Sequence, residues 1–431
     1  MKRDKLNDLI RWKNSNTRKP LVIRGARQVG KTWLLKEFGQ THYRKLVYIN
    51  FENTPNLKQL FSKDLDVKRI LSILEIHSGF TITPNDTLIV FDEIQEAPSG
   101  LTALKYFCED APLLHIIAAG SLLGLSMPNK TSFPVGKVDF TDMYPMSFLE
   151  FITALGEDKL SDAIKNRSWE IIDIFHEKLI DYLRTYYYIG GMPEVVQNFI
   201  NNQKWDEVRL IQHRILNSYE ADFSKHAPLE IIPRIRMVWQ SIPLQLAKKN
   251  KKFIYGAIRE GARAKDFELA IQWLVDAGVL LKVHRITKPE LPLMAFQDLS
   301  AFKLYLLDVG LLSAMVNLDK KAIIQGDKLF LQFKGALTEQ YVIEQLQNTK
   351  NLHIGYWTNS RNTAEVDFIV QTKTEIIPIE VKAETNLKAK SFKLFCEKYK
   401  PKTAIRTSLQ KYKHQSWITN IPLYAINNTE L

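Results

Sequence analysis

The segment PLVIRGARQVGKTWLLKEF, residues 20–38, decides the fold of the N-terminal third of the chain. Its apolar residues 21–23 predict a short buried strand, and the apolar positions 33, 34, 35 and 38 predict a helix. Between strand and helix, one run fits the pattern GxxxxGK[ST] in full: Gly25, Ala26, Arg27, Gln28, Val29, Gly30, Lys31 and Thr32. Such a loop turns backbone N–H groups around phosphate oxygens at a helix N-terminus, whose partial charge is positive. We therefore predict a nucleotide site, and ATP as the nucleotide.

The end of the loop and a second segment supply the residues that this chemistry needs. Lys31 is predicted to reach the β- and γ-phosphates, and the Thr32 hydroxyl to ligate Mg²⁺. Sixty residues on, the segment TLIVFDEIQEAP places an apolar strand, 88–91, before Asp92 and Glu93. Asp92 is predicted to hold Mg²⁺ through water, and Glu93 to polarise the water that attacks the γ-phosphate.

The segments around these two motifs predict an α/β fold with a parallel sheet. Residues 45–52 and 113–121 read as further strands, and helical stretches alternate with all of them. Ser121 follows a predicted strand, where its hydroxyl could sense the γ-phosphate. A turn serine with no such role is the alternative.

Length and composition narrow the class of protein. A chain of 431 residues is too long for one core, so two or three domains are expected. No apolar run reaches the roughly 18 residues of a membrane span, and the charged start MKRDKLNDLIRW is not a signal peptide. Cys108 and Cys396 suit neither a disulfide framework nor a metal cluster. We expect a cytoplasmic protein with no membrane partner.

The net charge of +12 is concentrated near the C-terminus. Residues 381–414 contain ten Lys and Arg against two acidic residues. A surface with this excess attracts polyanions through counterion release, which makes DNA a candidate partner. The alternative is a solvated, lysine-rich helix face.

The middle of the chain reads as helical, with apolar positions at helical spacing in 171–191 and 207–223. A helical lid beside the sheet is the expected arrangement, with tyrosines 186–188 in its packing. From residue 252, a short helix, a turn and a second helix over 265–277 run into a hairpin, which is typical of a winged helix. The basic residues expected near DNA phosphates are Arg259, Arg263 and Lys265, with Lys248, Lys249, Lys251 and Lys252. The alternative is a winged helix that only packs between modules.

The segment VDFIVQTKTEIIPIEVK, residues 366–382, reads as a hairpin with charged residues on one face. Asp367 precedes the turn, and Glu380 and Lys382 lie side by side on the return strand. Two carboxylates in this arrangement can share one or two Mg²⁺ ions that activate water against a phosphodiester. Glu339, on a predicted helix, is a candidate third carboxylate. Pro378 argues for a bulge or an edge strand, because it cannot donate to the ladder.

Five phrases carry a family resemblance: GARQVGKT, VFDEIQ, AAGSLLG, YPMSFLEF and GGMPEVV. They resemble a group of bacterial and archaeal AAA-type ATPases whose C-terminal domain, of unknown function, is similar to PD-(D/E)XK nucleases. The resemblance extends to about Ser408. It implies that Glu339, Asp367, Glu380 and Lys382 occupy the positions of the nuclease motif. Relatives usually have arginine where this chain has Lys137, and an arginine there could act as a finger on the γ-phosphate. Lysine lacks the planar bidentate fork, so either Lys137 performs a weaker version of this task or the finger lies elsewhere.

The resemblance and the motifs together predict four parts: residues 1–150, an AAA-type P-loop domain; 151–250, a helical lid; 251–320, a winged-helix-like domain; and 321–431, a nuclease-like α/β domain. One hypothesis is a Mg²⁺-dependent ATPase coupled to DNA processing, with metal-dependent DNA cleavage in the last domain. The second is a non-cleaving, ATP-driven switch that binds a protein or a nucleic acid there, and a component of a mobile element or toxin is a third. A protein partner and a homo-oligomer are further expectations.

Overall fold

The computed structural model describes residues 1–121, 136–248, 250–325, 328–349, 352–359, 361, 363–383 and 390–428. The chain forms two compact units. The N-terminal unit comprises Lys2–Tyr144 together with Asp276–Val279, and the C-terminal unit comprises Pro145–Val275 and Leu280–Leu431 with Met1.

The N-terminal unit is built on a five-stranded parallel sheet. Its strands are β1 (Leu21–Arg24), β2 (Lys45–Asn50), β3 (Thr87–Asp92), β4 (His115–Gly120) and β5 (Asp139–Asp142), in the order β2-β3-β4-β1-β5. Every residue of β3 and β4 is buried, as the unbroken apolar runs in these segments predict for strands covered on both faces. Because all strands are parallel, the residues after β1, β3 and β4 meet at one edge of the sheet.

Helix α1 (Lys5–Lys13) precedes β1, and the helices α2 (Lys31–His42), α3 (Val67–Ser78) and α4 (Pro98–Asp110) lie between successive strands. The N-terminus of α3 is fixed by an N-cap: the Asp66 carboxylate accepts from the Arg69 N–H at 2.7 Å. The apolar core of this unit contains three aromatic rings in mutual contact, from Phe51, Phe61 and Phe91, and Phe107 packs against Phe91.

The segment Asp276–Val279 belongs to the N-terminal unit although it lies far along the chain. Gly278 has a left-handed backbone with φ of 74°. A Cβ atom there would lie 3.2 Å from the backbone nitrogen of Ala26. Only glycine combines this φ with so close an approach without strain.

The C-terminal unit contains an eight-stranded mixed sheet in the order β12-β13-β11-β10-β9-β8-β6-β7. Its strands are β6 (Leu280–Ile286), β7 (Gln297–Leu306), β8 (His353–Thr358), β9 (Glu365–Gln371), β10 (Ile376–Val381), β11 (Ile405–Ser408), β12 (Lys413–His414) and β13 (Thr419–Pro422). The hairpin β6–β7, in which the sequence suggested the wing of a winged helix, is part of this sheet and pairs with β8 in parallel. The predicted hairpin β9–β10 forms with Phe368 opposite Ile379.

Helices make up most of the rest of this unit, as predicted for the middle of the chain. They are α5 (Phe148–Ala154), α6 (Asp158–Lys165), α7 (Trp169–Ile174), α8 (His176–Ile189), α9 (Pro193–Asn202), α10 (Trp205–His226), α11 (Ile232–Ala247), α12 (Ala264–Asp276), α13 (Val309–Met315), α14 (Lys320–Gln325), α15 (Lys328–Gln347) and α16 (Lys390–Tyr399). Tyr186, Tyr187 and Tyr188 are all buried, in agreement with the packing role expected of them.

Pro378 is not at a bulge or on an edge strand, so that expectation was wrong. It lies within β10, opposite Ile369 of β9, and β10 has β11 on its other side. The pairing with β11 begins only at Ile379. A residue without an N–H is therefore accommodated because the second ladder has not yet started at its position.

Among the described residues, no helix combines the length and apolar character that crossing a bilayer requires. Cys108 and Cys396 are both free thiols.

Candidate functional sites

The phosphate-binding loop connects β1 to α2, as its sequence predicts. α2 begins at Lys31, and the preceding Gly30 has a left-handed backbone with φ of 94°. At Gly25, a Cβ atom would lie 2.2 Å from the carbonyl oxygen of Met143, closer than any real contact. Both glycines are therefore required by the path of the backbone, at the N-terminus of a twelve-residue helix.

Lys31 is folded back onto its own loop. Its ammonium group donates to the carbonyl oxygens of Gly25, at 2.8 Å, and of Ala26, at 2.7 Å. Burial lowers the pKa of this lysine to about 8, against a smaller opposing effect of Glu93 and Asp92. Phosphate oxygens would replace the two carbonyl acceptors and favour the charged form.

Asp92, at the carboxyl end of β3, is fully buried and joins the two halves of the site. Its Oδ2 accepts from the Thr32 hydroxyl at 2.6 Å and from the Tyr48 hydroxyl at 2.7 Å. Its Oδ1 accepts from the Glu93 N–H at 3.1 Å. A hydroxyl and a carboxylate in contact at the base of a phosphate-binding loop are the oxygen donors that Mg²⁺ prefers.

Glu93 leaves the strand in a left-handed conformation, with φ of 51°. This is an uncommon backbone for a glutamate and is concentrated at functional sites. The side-chain amide of Gln95 donates to the Glu93 carboxylate. Burial raises the pKa of Glu93 above its ordinary value, although Gln95 and Lys31 oppose the shift. A carboxylate with a raised pKa is a stronger proton acceptor once ionised.

The structure brings Ser121 to the same edge of the sheet, directly after β4. It is buried, and the Arg27 guanidinium of the loop lies 3.4 Å from its hydroxyl. The lysine in place of the family's arginine, Lys137, forms an exposed ion pair with Glu109 at 2.9 Å.

Sequence reasoning missed three residues that support this site. Arg3 is buried and donates to the carbonyl oxygens of Val29, at 2.8 Å, and Tyr144, at 2.7 Å. Tyr48 and Gln95 hold the two acidic residues, as described above. The motif of 87–98 contains Gln95, but no pattern in the sequence indicates what Arg3 or Tyr48 contacts.

In the C-terminal unit, β9 and β10 place Asp367 beside Glu380, as predicted. Asp367 accepts from the Val381 N–H at 2.8 Å, and the Glu380 Oε1 accepts from the Lys382 ammonium at 2.6 Å. Burial and the neighbouring carboxylates raise the pKa of Asp367 well above its ordinary value, and burial also raises that of Glu380. Two carboxylates with raised pKa values are a site that an additional positive charge would stabilise.

Glu339, on α15, has both oxygens engaged by other residues. Oε1 accepts from the Lys251 ammonium at 2.6 Å, and Oε2 accepts from the Tyr305 hydroxyl at 3.1 Å. The Lys303 ammonium lies 3.6 Å from Oε2. Burial would raise the pKa of Glu339, but Lys251 and Lys303 outweigh it and hold the pKa below its ordinary value.

Lys303, on β7, is fully buried and was not anticipated. It forms an ion pair with Glu365 of β9 and lies over the ring of Tyr356 at 4.9 Å. Burial would lower its pKa, but the surrounding groups, Glu339 and Glu365 among them, keep the pKa well above its ordinary value. A lysine inside the apolar run AFKLYLL was the available signal, because lysine is almost never buried without a partner.

Lys251 is a correction to the predicted DNA surface, because its ammonium group binds Glu339 and its side chain is only 12% exposed. Arg259, Arg263 and Lys265 are exposed, as predicted. Lys249 lies outside the described residues, as do positions 384–389 of the basic segment 381–414.

Within the ranges that the structure describes, no group of three or more His, Cys, Asp or Glu side chains is arranged to hold a metal ion. At the predicted nuclease motif, the three carboxylates do not converge because Glu339 forms ion pairs. These ion pairs direct its carboxylate to lysines, which leaves Asp367 and Glu380 as the adjacent pair.

Three family models match separate parts of the chain. Residues 17–152 match an AAA domain, residues 180–322 match a domain of unknown function, DUF8612, and residues 334–426 match another, DUF4143. No curated protein matches the chain. The match to residues 17–152, together with the geometry of the phosphate-binding loop, supports an AAA-type P-loop ATPase domain in the N-terminal part of the chain.

Two solved structures illustrate the remaining similarity. The Walker-type ATPase paby2304 of Pyrococcus abyssi is 14% identical, with a TM-score of 0.45, over 73% of this chain and 95% of its own. The Orc1 protein of Aeropyrum pernix, in complex with DNA, is 11% identical, with a TM-score of 0.29, over 73% of this chain and 91% of its own. At these scores neither likeness supports an inference about function.

Proposed function

We propose that this protein hydrolyses ATP at the edge of the N-terminal sheet, with Mg²⁺ held by Thr32 and Asp92. The observation that carries the proposal is the 2.6 Å contact between these two residues, which come from opposite halves of the nucleotide site. Mg²⁺ held there by Thr32 and Asp92 would neutralise negative charge on the phosphates of the nucleotide.

The protein's own residues have separate tasks in this reaction. The loop N–H groups of 25–32 bind the phosphates, and Lys31 turns from its two carbonyl acceptors to the β- and γ-phosphates. Glu93 accepts a proton from the attacking water, and Gln95 positions its carboxylate. Ser121 and Arg27 contact the γ-phosphate side of the site, and Asp92 is held in place by Tyr48.

ATP hydrolysis by two variants tests the assignment. Lys31→Ala should lose nucleotide binding and with it hydrolysis, because the ammonium group provides the main positive charge for the phosphates. Glu93→Gln should bind ATP normally but hydrolyse it roughly 100-fold to 10,000-fold more slowly, as expected when a general base is removed. Wild-type rates in Lys31→Ala would contradict the site.

For the C-terminal unit, we propose a metal-dependent site of the PD-(D/E)XK type that acts on DNA. Asp367 and Glu380 are the metal ligands, and Lys382 positions the water that attacks the phosphodiester. The fit rests on Glu380, which is buried and whose Oε2 finds no hydrogen-bond donor among the residues described. A buried carboxylate oxygen without a donor is costly unless a cation occupies the space beside it.

DNA would contact the exposed basic residues of this unit. These residues are Arg259, Arg263 and Lys265 around the start of α12, and Lys390, Lys393 and Lys398 on α16. Contacts of this kind bind phosphates without reading sequence, so the logarithm of the affinity should fall linearly with the logarithm of the salt concentration. We also propose that α12 is part of a winged helix and that the helices of the middle region form a lid. The protein is further proposed to assemble into a homo-oligomer.

Cleavage of single- and double-stranded DNA by the purified protein tests this second activity. The assay uses Mg²⁺ or Mn²⁺, with and without ATP, beside Asp367→Ala and Lys382→Ala. Cutting that disappears in both variants supports the proposal, and cutting that survives in both assigns it to a contaminant.

A second candidate function is an ATP-driven switch that binds DNA or a protein partner without cutting. The observation that favours it is the pairing of Glu339 with lysines, which removes one carboxylate of the nuclease motif from the metal ligands. In that case DNA should bind without being cut under any metal condition, and hydrolysis should respond to the partner.

A further inference from the structure

The C-terminal carboxylate cluster is neutralised by the protein's own cations. Its acidic members are Glu339, Glu365, Asp367 and Glu380, and its basic members are Lys251, Lys303, Lys382 and Arg406. Lys303 contacts two of the carboxylates, while Arg406 acts on Glu380 from the neighbouring strand β11. Four basic side chains thus already offset the charge of the carboxylates, and a divalent cation would have to compete with them for the same oxygens.

The basic members differ in how firmly they are held. Lys303 lies on the strand β7, is fully buried and packs on an aromatic ring. Lys251 lies between α11 and α12, outside regular structure, and its side chain retains 12% exposure. Two hydrogen bonds, of 2.9 and 3.2 Å, join Gln245 to Ile254 on either side of Lys251. They anchor the backbone of this segment, and the Lys251 side chain extends from it to Glu339.

We propose that Lys251 is an exchangeable counter-ion that sets the affinity of the C-terminal site for a divalent cation. This inference rests on the metal site proposed above for Asp367 and Glu380. While the Lys251 ammonium binds Glu339 Oε1, that oxygen is not available as a ligand. When Lys251 turns to solvent, the cluster loses one positive charge and Glu339 offers a third carboxylate oxygen.

The sequence motif alone would not assign this role. In the nuclease motif the first glutamate, Glu339 here, is expected to be a metal ligand. In the structure its Oε1 accepts from Lys251, which lies 88 residues earlier in the chain. Divalent cations such as Mg²⁺ and Mn²⁺ prefer carboxylate oxygens. Removal of one positive charge at a few ångströms should therefore strengthen their binding about tenfold.

Mn²⁺ binding to the full chain without nucleotide, followed by electron paramagnetic resonance, tests the proposal without relying on activity. Lys251→Met, which removes the charge but keeps the length, should bind Mn²⁺ about tenfold more tightly than the wild type. Lys251→Arg should resemble the wild type. Lys252→Met is the matched control, because it removes the charge of the next residue along the chain and should leave the affinity unchanged.

The double variant Lys251→Met with Asp367→Asn assigns the gain to the C-terminal site, where it should disappear. Equal or weaker binding in Lys251→Met overturns the counter-ion role, while Mn²⁺ binding by the wild type that Asp367→Asn removes would leave the proposed metal site intact. If no variant shows Mn²⁺ binding that depends on Asp367, the metal site and the inference built on it both fail.

Discussion

Lys31 links nucleotide binding to pH. In the free protein its pKa is about 8, lowered by burial, and the negative phosphates of a bound nucleotide should raise it. Binding therefore takes up a proton above pH 8. The affinity for nucleotide should have its full value below about pH 8. Above that pH it should fall about tenfold for each pH unit.

Calorimetry in buffers of different ionisation enthalpy measures this proton uptake directly. Lys68→Met, a change of an exposed lysine on α3, should keep the wild-type dependence. An affinity that stays flat from pH 7 to 9.5 would rule out the titration of Lys31.

Lys303 should contribute to stability through its buried ion pairs. Lys303→Met leaves Glu365 without its ammonium partner and weakens the environment of Glu339, so we expect the C-terminal unit to lose about 3 kcal/mol. Urea unfolding followed by tryptophan fluorescence measures the loss. Lys393→Met, which removes an exposed pair with Glu397, should change the stability by less than about 1 kcal/mol. Equal stability of the two variants would contradict this role.

At the scale of elements, the junction of β1 and α2 depends on the absence of a side chain at Gly25. Gly25→Ala would press a Cβ atom against the Met143 carbonyl oxygen and displace the loop, so nucleotide binding should fall at least tenfold. Gly79→Ala is the control, because its backbone is also left-handed but its Cβ position is open. It should cost about 1 kcal/mol of stability and leave binding unchanged. A binding loss in Gly25→Ala no larger than that in Gly79→Ala would contradict the role of the Met143 contact.

The sequence predicts elements whose signal is local and fails where partners are distant. The loop of 25–32, the strand before Asp92 and the hairpin of Asp367 and Glu380 were all predicted, because each is encoded within a short segment. The contact of Lys251 with Glu339 spans 88 residues, and that of Arg3 with Tyr144 spans 141. Neither follows from periodicity or motif, since both depend on how the strands are ordered in a sheet.

At the scale of the molecule, two compact units with separate apolar cores predict two unfolding transitions. Mg²⁺ and ATP at 100 times the dissociation constant should stabilise the N-terminal unit by about 2.7 kcal/mol. Scanning calorimetry measures the shift, and Lys303→Met identifies the other transition by lowering it. A single transition in both wild type and variant would show that the units unfold together.

The segment Asp276–Val279 has a consequence for how the nucleotide unit comes into being. All five strands of its sheet, and every residue predicted to bind nucleotide, have left the ribosome long before these four residues are made. Until then the backbone at Ala26 lacks the neighbour that Gly278 provides. The phosphate-binding loop thus reaches its final packing only late in synthesis, after α5 to α12 of the other unit have been translated. A gene fragment ending near residue 150 would encode the motif but not the whole of the unit that supports it.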